Sequence, residues 1–104
     1  MNEEIKNIVS KFVEKLSPKT VYLFGSYARG DYNNESDYDF YIIMPENYSV
    51  SNKTTSDAYV SLRGLKRRPV DIIVNNEKVF KERCSYTNAL ENTVKKEGKI
   101  VYEK

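Results

Sequence analysis

The stretch that decides the fold is Gly25-Ser26-Tyr27-Ala28-Arg29-Gly30-Asp31-Tyr32-Asn33-Asn34-Glu35-Ser36-Asp37-Tyr38-Asp39. One apolar run, Val21 to Phe24, precedes it, and a second, Phe40 to Met44, follows it. Short runs rich in β-branched and aromatic residues favour buried strands. The stretch is therefore predicted to lead from the end of one strand, through a turn and a polar loop, into the start of a second strand.

Asp37 and Asp39 form the acidic end of this stretch. Side chains alternate between the faces of a strand, so both carboxylates are predicted to project one way while Tyr38 and Phe40 project the other. Their Cα atoms would be about 7 Å apart, and two carboxylates held side by side repel each other. A divalent cation reverses that repulsion, and Mg²⁺ or Mn²⁺ prefers hard oxygen ligands of this kind. The alternative is a pair of surface carboxylates, which the apolar flanks disfavour.

Gly25 and Ser26 form the other end, where a strand finishes and a short helix is predicted to begin. Glycine permits close approach of the backbone to a ligand, and N–H groups at a helix start, together with the Ser26 hydroxyl, attract anions. Phosphates and metal-binding carboxylates would then share one edge of the sheet, which is the combination that nucleoside triphosphate chemistry requires. Arg29 either contacts phosphate or pairs with Asp31, and the sequence leaves both open.

Asp71 is the third candidate, in the apolar segment Val70 to Val74. A carboxylate within such a strand is costly unless it is paired or faces the open side of the strand. From a neighbouring strand it could point into the same site, bind a second metal ion and accept a proton from an attacking hydroxyl. A structural ion pair of Asp71 with Arg67 or Arg68 is the alternative.

The amino-acid composition limits the classes of protein to which the chain can belong. The chain has 104 residues, 39% of them hydrophobic, and is expected to form a single domain over residues 1–104. A net charge of +2 gives no bulk electrostatic reason to bind nucleic acid. With one cysteine and no histidine, nucleophiles activated by histidine and zinc sites of nitrogen and sulfur ligands are disfavoured. Without a signal-type or membrane-spanning apolar run, the expected location is cytoplasmic and no membrane partner is expected.

The remaining periodicities predict an alternation of helices and strands. The predicted elements are a helix over 2–16 capped by Asn2, a strand over 20–24, a turn or two of helix over 27–30, a polar loop over 31–36, a strand over 37–44, a polar segment over 46–55, a helix capped by Ser56 or Asp57 and ending near 67, a strand over 70–74, a helix over 86–97 capped by Ser85, and a short edge strand over 100–102. This order predicts an α/β or α+β fold in which a small mixed sheet packs against helices.

The motifs also resemble those of a known family. A Gly-Ser pair, ten intervening residues, an Asp-x-Asp pair and a later Asp-led strand are similar to the signature of the DNA polymerase β-like nucleotidyltransferases. The segments over 28–31 and 97–102 resemble the minimal nucleotidyltransferase (MNT) members in particular, so the resemblance extends over most of the chain. It implies the polymerase β-like nucleotidyltransferase fold.

The same resemblance implies roles for individual residues. Gly25 and Ser26 would hold the β and γ phosphates, and Arg29 is counted with them as a nucleotide-binding candidate on its own residue chemistry. Asp37 and Asp39 would bind metal, and Asp71 would complete the site as a metal ligand, as the base or as both. The implied cofactors are two Mg²⁺ or Mn²⁺ ions, and the implied substrate is ATP.

What the resemblance implies about activity is metal-dependent transfer of a nucleoside monophosphate, AMP from ATP in the first instance, to a hydroxyl acceptor. Larger relatives carry an acceptor-binding domain for which 104 residues leave no room, so a homodimer partner or a separate protein would supply that surface. In MNT proteins the partner is commonly a HEPN-domain RNase toxin, adenylylated on a tyrosine by its MNT antitoxin. The alternatives are a non-catalytic antitoxin that acts by occlusion, or transfer to a small molecule such as an aminoglycoside.

Overall fold

The computed structural model describes residues 2–33, 35–65 and 67–104. Asn34, within the predicted polar loop, and Lys66, within the predicted third helix, lie outside the described residues. Within the described ranges there are five helices and four strands. The helices are α1 (Glu3–Leu16), α2 (Ser26–Arg29), α3 (Asn52–Val60), α4 (Glu77–Cys84) and α5 (Leu90–Glu97), and the strands are β1 (Thr20–Phe24), β2 (Tyr38–Met44), β3 (Val70–Asn76) and β4 (Lys99–Glu103).

The four strands form one mixed sheet in the order β3-β2-β1-β4. Strand β1 is central and pairs antiparallel with both β2 and β4. Strands β2 and β3 pair in parallel, with α3 in the connection between them. This arrangement confirms the predicted class, a small mixed sheet packed against helices.

Helices cover both faces of the sheet. On one face, α1 and α3 pack on the alternate strand residues that include Tyr38 and Phe40. On the other face, Phe80 of α4 and Val94 of α5 pack on a smaller cluster that includes Tyr41. Helix α1 buries five apolar side chains, a contribution on the order of 10 kcal/mol before entropy is counted. The sheet is thus held firmly from both sides, and its strand ends are fixed relative to one another.

The first helix and the strands agree with the sequence patterns. The side chain of Asn2 caps α1 by accepting a hydrogen bond from the backbone N–H of Ile5 at 2.8 Å. Helix α1 ends at Ser17, whose left-handed backbone (φ 52°) precedes Pro18. The edge strand predicted over 100–102 is β4. Strand β2 begins at Tyr38, so Asp37 lies immediately before it rather than inside it.

The third helix was predicted too late in the chain. It begins at Asn52, and neither Ser56 nor Asp57 caps it, because both lie inside it. Its N-terminus is closed by the backbone N–H of Ser51, which donates to Oγ1 of Thr54 at 3.2 Å. It ends at Val60 rather than near residue 67, and Gly64 follows in the left-handed conformation (φ 86°). The polar segment predicted over 46–55 is thus partly helical.

Two corrections concern the C-terminal helices. Helix α4 was not predicted; Asn76 caps it by accepting from the backbone N–H of Val79 at 2.9 Å. The predicted helix over 86–97 is shorter, beginning at Leu90, and Ser85 lies at the C-terminal end of α4 instead of capping α5. No helix within the described ranges is long and apolar enough to cross a membrane.

Candidate active site

Two of the three candidate carboxylates meet where β2 and β3 begin. In the parallel β2–β3 register, Asp39 lies directly opposite Asp71. The Asp71 carboxyl is close enough to raise the pKa of Asp39, both by its charge and by hydrogen bonding. Both lie on the α4–α5 face, since the alternating residues Tyr38 and Phe40 are buried against α1 and α3. The sheet therefore directs both carboxylates to the same region, beside the starts of β2 and β3.

Gly25 brings the turn after β1 against this pair. Its backbone has φ 72° and ψ −153°, a conformation open essentially to glycine alone. A Cβ atom added at Gly25 would lie 2.2 Å from Oδ2 of Asp39, far inside van der Waals contact. Ser26 is the first residue of α2. The turn, the start of α2 and the carboxylate pair therefore form one contiguous surface.

The carboxylates of the site repel one another. Burial, followed by the charges of Asp71 and Asp37, raises the pKa of Asp39 from 3.8 to about 6, and the guanidinium of Arg29 acts in the opposite direction. Above that pH the site holds charges that burial and mutual repulsion disfavour. A cation would relieve this strain, and all the donors are carboxylate oxygens, which suit Mg²⁺ or Mn²⁺.

Asp37 stands apart from the close pair. It is exposed and raises the pKa of Asp39 less than Asp71 does, and Asp71 is also the residue directly opposite Asp39 in the strand register. Among the residues that the structure describes, no group of three or more acidic or cysteine side chains is arranged to hold a metal ion by itself. A magnesium site made by one or two carboxylates and completed by substrate phosphates and water is the common form of such sites, and the Asp39–Asp71 pair fits it.

Arg29 and Asp31 border the site on the side of α2. Nε of Arg29 donates to Oδ2 of Asp31 at 3.3 Å, and both side chains are exposed to solvent. Arg29 is also close enough to lower the pKa of Asp39 by its charge. Arg29 therefore pairs with Asp31, which is one of the two sequence alternatives, and its contact with phosphate stays a prediction.

The contacts of Tyr38, which lie on the face of the sheet opposite the carboxylates, were not predicted from the sequence. Tyr38, between the two acidic residues, is buried on the opposite face, and its hydroxyl donates to the Glu4 carboxylate of α1. Its ring packs against Tyr27, the residue after Ser26, with ring centroids 4.6 Å apart. Tyr38 therefore ties β2, α1 and α2 together. The overlooked signal was its position between the two aspartates, where an apolar residue would have been enough for packing alone.

The tyrosines and arginines near the site are mostly engaged with one another. The rings of Tyr27 and Tyr32 stack at 4.2 Å between centroids, and the guanidinium of Arg68 lies 5.8 Å from the centroid of Tyr27. Arg68 also donates to the backbone carbonyl of Asn33 at 3.5 Å. These contacts join the polar loop after α2 to the segment that enters β3.

Comparison with known proteins places this site in a family. The chain matches the model of the nucleotidyltransferase domain over residues 3–101. It is 32% identical, over 98% of its own length and 100% of the relative's, to MJ0604 of Methanocaldococcus jannaschii, provisionally named a protein adenylyltransferase.

Solved structures share the fold. One is a toxin–antitoxin with AMP-PNP, which matches with a TM-score of 0.66 and 23% sequence identity. The match covers 95% of this chain and 73% of that chain. Another is a variant of the toxin–antitoxin MntA-HpeT, which matches with a TM-score of 0.69 and 18% sequence identity. The match covers the whole of this chain and 75% of that chain. The family match over 3–101 and the relative of 32% identity mean that this chain belongs to the nucleotidyltransferase domain family and is a nucleotidyltransferase.

Proposed function

We propose that the enzyme transfers AMP from ATP to a hydroxyl group of a protein, releasing pyrophosphate. The observation that carries this proposal is the in-register pair of Asp39 and Asp71 against the glycine turn at Gly25. Nucleotidyl transfer needs a cation-binding pair of carboxylates next to a backbone that phosphates can approach closely. The relative named as a protein adenylyltransferase and the AMP-PNP in a structure of the same fold support the choice of nucleotide and acceptor.

In this proposal the residues divide the work. The turn at Gly25 and Ser26, with Arg29, binds the β and γ phosphates and orients the α phosphorus. Asp71, the more exposed member of the pair, accepts the proton of the acceptor hydroxyl. The acceptor oxygen then forms a bond to the α phosphorus as the bond to the departing pyrophosphate breaks.

Asp39 and Asp71, with Asp37 nearby, would hold the divalent cation, and two Mg²⁺ or Mn²⁺ ions are proposed. When bound, such ions neutralise the triphosphate charge and polarise the phosphoryl oxygens. The raised pKa of Asp39 supports this assignment, because burial and the charges of Asp71 and Asp37 disfavour its ionised form and Arg29 offsets them only in part.

The proposed acceptor is a tyrosine of a toxin of the HEPN class, so that the enzyme acts as an antitoxin. Two toxin–antitoxin structures share the fold at TM-scores of 0.66 and 0.69, which supports this choice of partner. The open character of the site also supports a protein acceptor, since Asp37 and Asp71 are exposed and a second surface could cover them.

The test is transfer of label from ATP to a purified toxin of the HEPN class, taken from a neighbouring gene where one is found, with Mg²⁺ present. Wild-type protein should label the toxin, and Asp39→Asn and Asp71→Asn should each lower the rate by at least about a hundredfold, since each removes charge stabilisation from the transition state. Asp57→Asn, which removes a carboxylate paired with Lys53 of α3, is the matched control and should leave the rate unchanged.

The same variants separate catalysis from occlusion. If Asp39→Asn still neutralises the toxin without labelling it, neutralisation works by binding, and the proposal that transfer is what makes the protein an antitoxin is wrong. Labelling that persists in both site variants at the wild-type rate would remove the carboxylate pair from the chemistry.

A further inference from the structure

The ion pair of Arg29 and Asp31 has a geometry that stability does not explain. Arg29 is the last residue of α2, and Gly30 follows with φ 87°, so that its N–H donates to the carbonyl of Ser26 at 2.9 Å. This left-handed glycine turns the chain back and sets Asp31 beside Arg29, with Nε of Arg29 3.3 Å from Oδ2 of Asp31. The turn therefore presents the carboxylate to one particular nitrogen of the guanidinium.

The pair adds little to folding. The side chain of Arg29 is 44% exposed and that of Asp31 is 63% exposed. Ion pairs between side chains this exposed are screened by water and lose much of their gain to the entropy of holding two long groups together. A role for Asp31 must then come from where it directs Arg29.

The atom that Asp31 binds decides what Arg29 can do next. A guanidinium has five N–H donors in a rigid fork, and its two terminal amino groups bind phosphate oxygens as a pair. Asp31 engages Nε, which leaves the terminal amino groups directed elsewhere. The backbone N–H of Arg29 donates to the carbonyl of Gly25 at 3.1 Å, and Gly25 is the residue whose backbone lies against Asp39. The fork is thus held next to the surface where the proposed triphosphate binds.

We propose that Asp31 is a positioning residue, which holds Arg29 by Nε so that its two terminal amino groups meet the phosphates of the nucleotide. This proposal rests on the function proposed above, because it requires a triphosphate at the turn formed by Gly25 and Ser26. Without Asp31, Arg29 would have to give up its side-chain freedom at the moment of binding.

A competing effect has the opposite sign. Asp31 is negative, and its charge repels a triphosphate, so its removal alone would tighten binding. The high exposure of Asp31 makes this repulsion weak through screening. Orientation of Arg29 should therefore dominate, and the direction of the change in affinity distinguishes the two effects.

The experiment measures binding of AMP-PNP with Mg²⁺ to the full chain by calorimetry. Asp31→Ala should weaken binding about fivefold, the cost of ordering one long cationic side chain. Asp31→Asn keeps an acceptor oxygen and should fall between wild type and Asp31→Ala. Glu35→Gln removes an exposed charge from the same loop without touching Arg29 and should not weaken binding. Melting temperatures should stay within about 2 °C of wild type.

A double-mutant cycle separates positioning from a structural role. In an Arg29→Ala background, Asp31→Ala should cause no further weakening, because the side chain it positions is gone. Equal or tighter binding by Asp31→Ala alone, or the same fivefold loss with Arg29 absent, would overturn the inference while leaving the proposed function intact. Failure of the wild-type chain to bind AMP-PNP at all would overturn the proposed function as well.

Discussion

Replacing Asp39 with asparagine should make the metal-free protein more stable while it abolishes transfer. Burial and the neighbouring carboxyls raise the pKa of Asp39 from 3.8 to about 6. An acid whose pKa is higher in the folded state than in the unfolded state binds more protons when folded, so stability falls as the pH rises from about 4 to about 6 and then stays level. Two pKa units correspond to about 3 kcal/mol, which partial solvent exposure reduces to about 1–2 kcal/mol.

The asparagine side chain of this variant cannot ionise, and its amide can donate to the Asp71 carboxylate. We therefore expect urea denaturation with EDTA at pH 8 to show that Asp39→Asn is more stable than wild type by about 1–2 kcal/mol. In thermal denaturation this difference corresponds to a melting temperature about 4–10 °C higher. The advantage should shrink towards zero near pH 4, where Asp39 is protonated in the folded wild type. Added Mg²⁺ should stabilise wild type and close the gap.

Asp57→Asn is the matched control, since the Lys53 ammonium lowers the pKa of Asp57. Its loss should not stabilise the protein at any pH. If Asp39→Asn is equal to or less stable than wild type at pH 8, or if its advantage does not change between pH 4 and pH 8, the stored repulsion on which the metal site is argued does not exist.

Three further substitutions test the construction around the site. Gly25→Ala should lower the free energy of unfolding by about 1–3 kcal/mol and abolish transfer, because the added Cβ would collide with Asp39. Gly64→Ala, at a similar φ but with open space around it, should lose stability and keep activity. Equal activity of the two variants would refute the close approach. Tyr38→Phe should lose about 1–2 kcal/mol in chemical denaturation through the bond to Glu4, while Tyr86→Phe, 66% exposed, should lose nothing. Glu91→Ala should cost about 2–3 kcal/mol by leaving the Tyr41 hydroxyl without its acceptor at 2.6 Å, whereas Glu91→Gln should cost much less; equal losses for the two would contradict this.

The parts of the fold that follow from local chemistry could be predicted from the sequence. The cap at Asn2 and the stop at Pro18 define α1 because both act over a few neighbouring residues. The alternation that sends Tyr38 inward and Asp39 to the other face is a property of any strand. Glycine at position 25 was interpreted from the sequence as permitting a close approach of the backbone to a ligand, whereas the structure shows a close approach to the Asp39 side chain.

The errors arose where tertiary contacts override local pattern. Glu91 is 3% exposed because it accepts from Tyr41, while Leu90 is 40% exposed, so the buried face of α5 does not follow the apolar pattern of its sequence. Helix α4 carries few apolar residues, and only the cap at Asn76 marks its beginning. Helix α3 begins within a polar segment that resembles a loop.

The alignment of Asp39 with Asp71 was beyond sequence reasoning. Each residue could be placed on a strand, but the register of two parallel strands depends on the length and path of the chain that connects them. That connection here includes α3 and the turn at Gly64. The partnership of Arg29 with Asp31 was one of two sequence alternatives, and the left-handed turn at Gly30 explains why it forms.

The most direct test of nucleotidyl transfer compares ATP labelled at the α phosphorus with ATP labelled at the γ phosphorus. Purified wild-type protein, Mg²⁺ and the HEPN-class toxin would be incubated with each, and the toxin then separated and counted. The account predicts label on the toxin from α-labelled ATP only, with the γ label recovered in pyrophosphate. Label on the toxin from γ-labelled ATP, or no label from either while the toxin is neutralised, would contradict it.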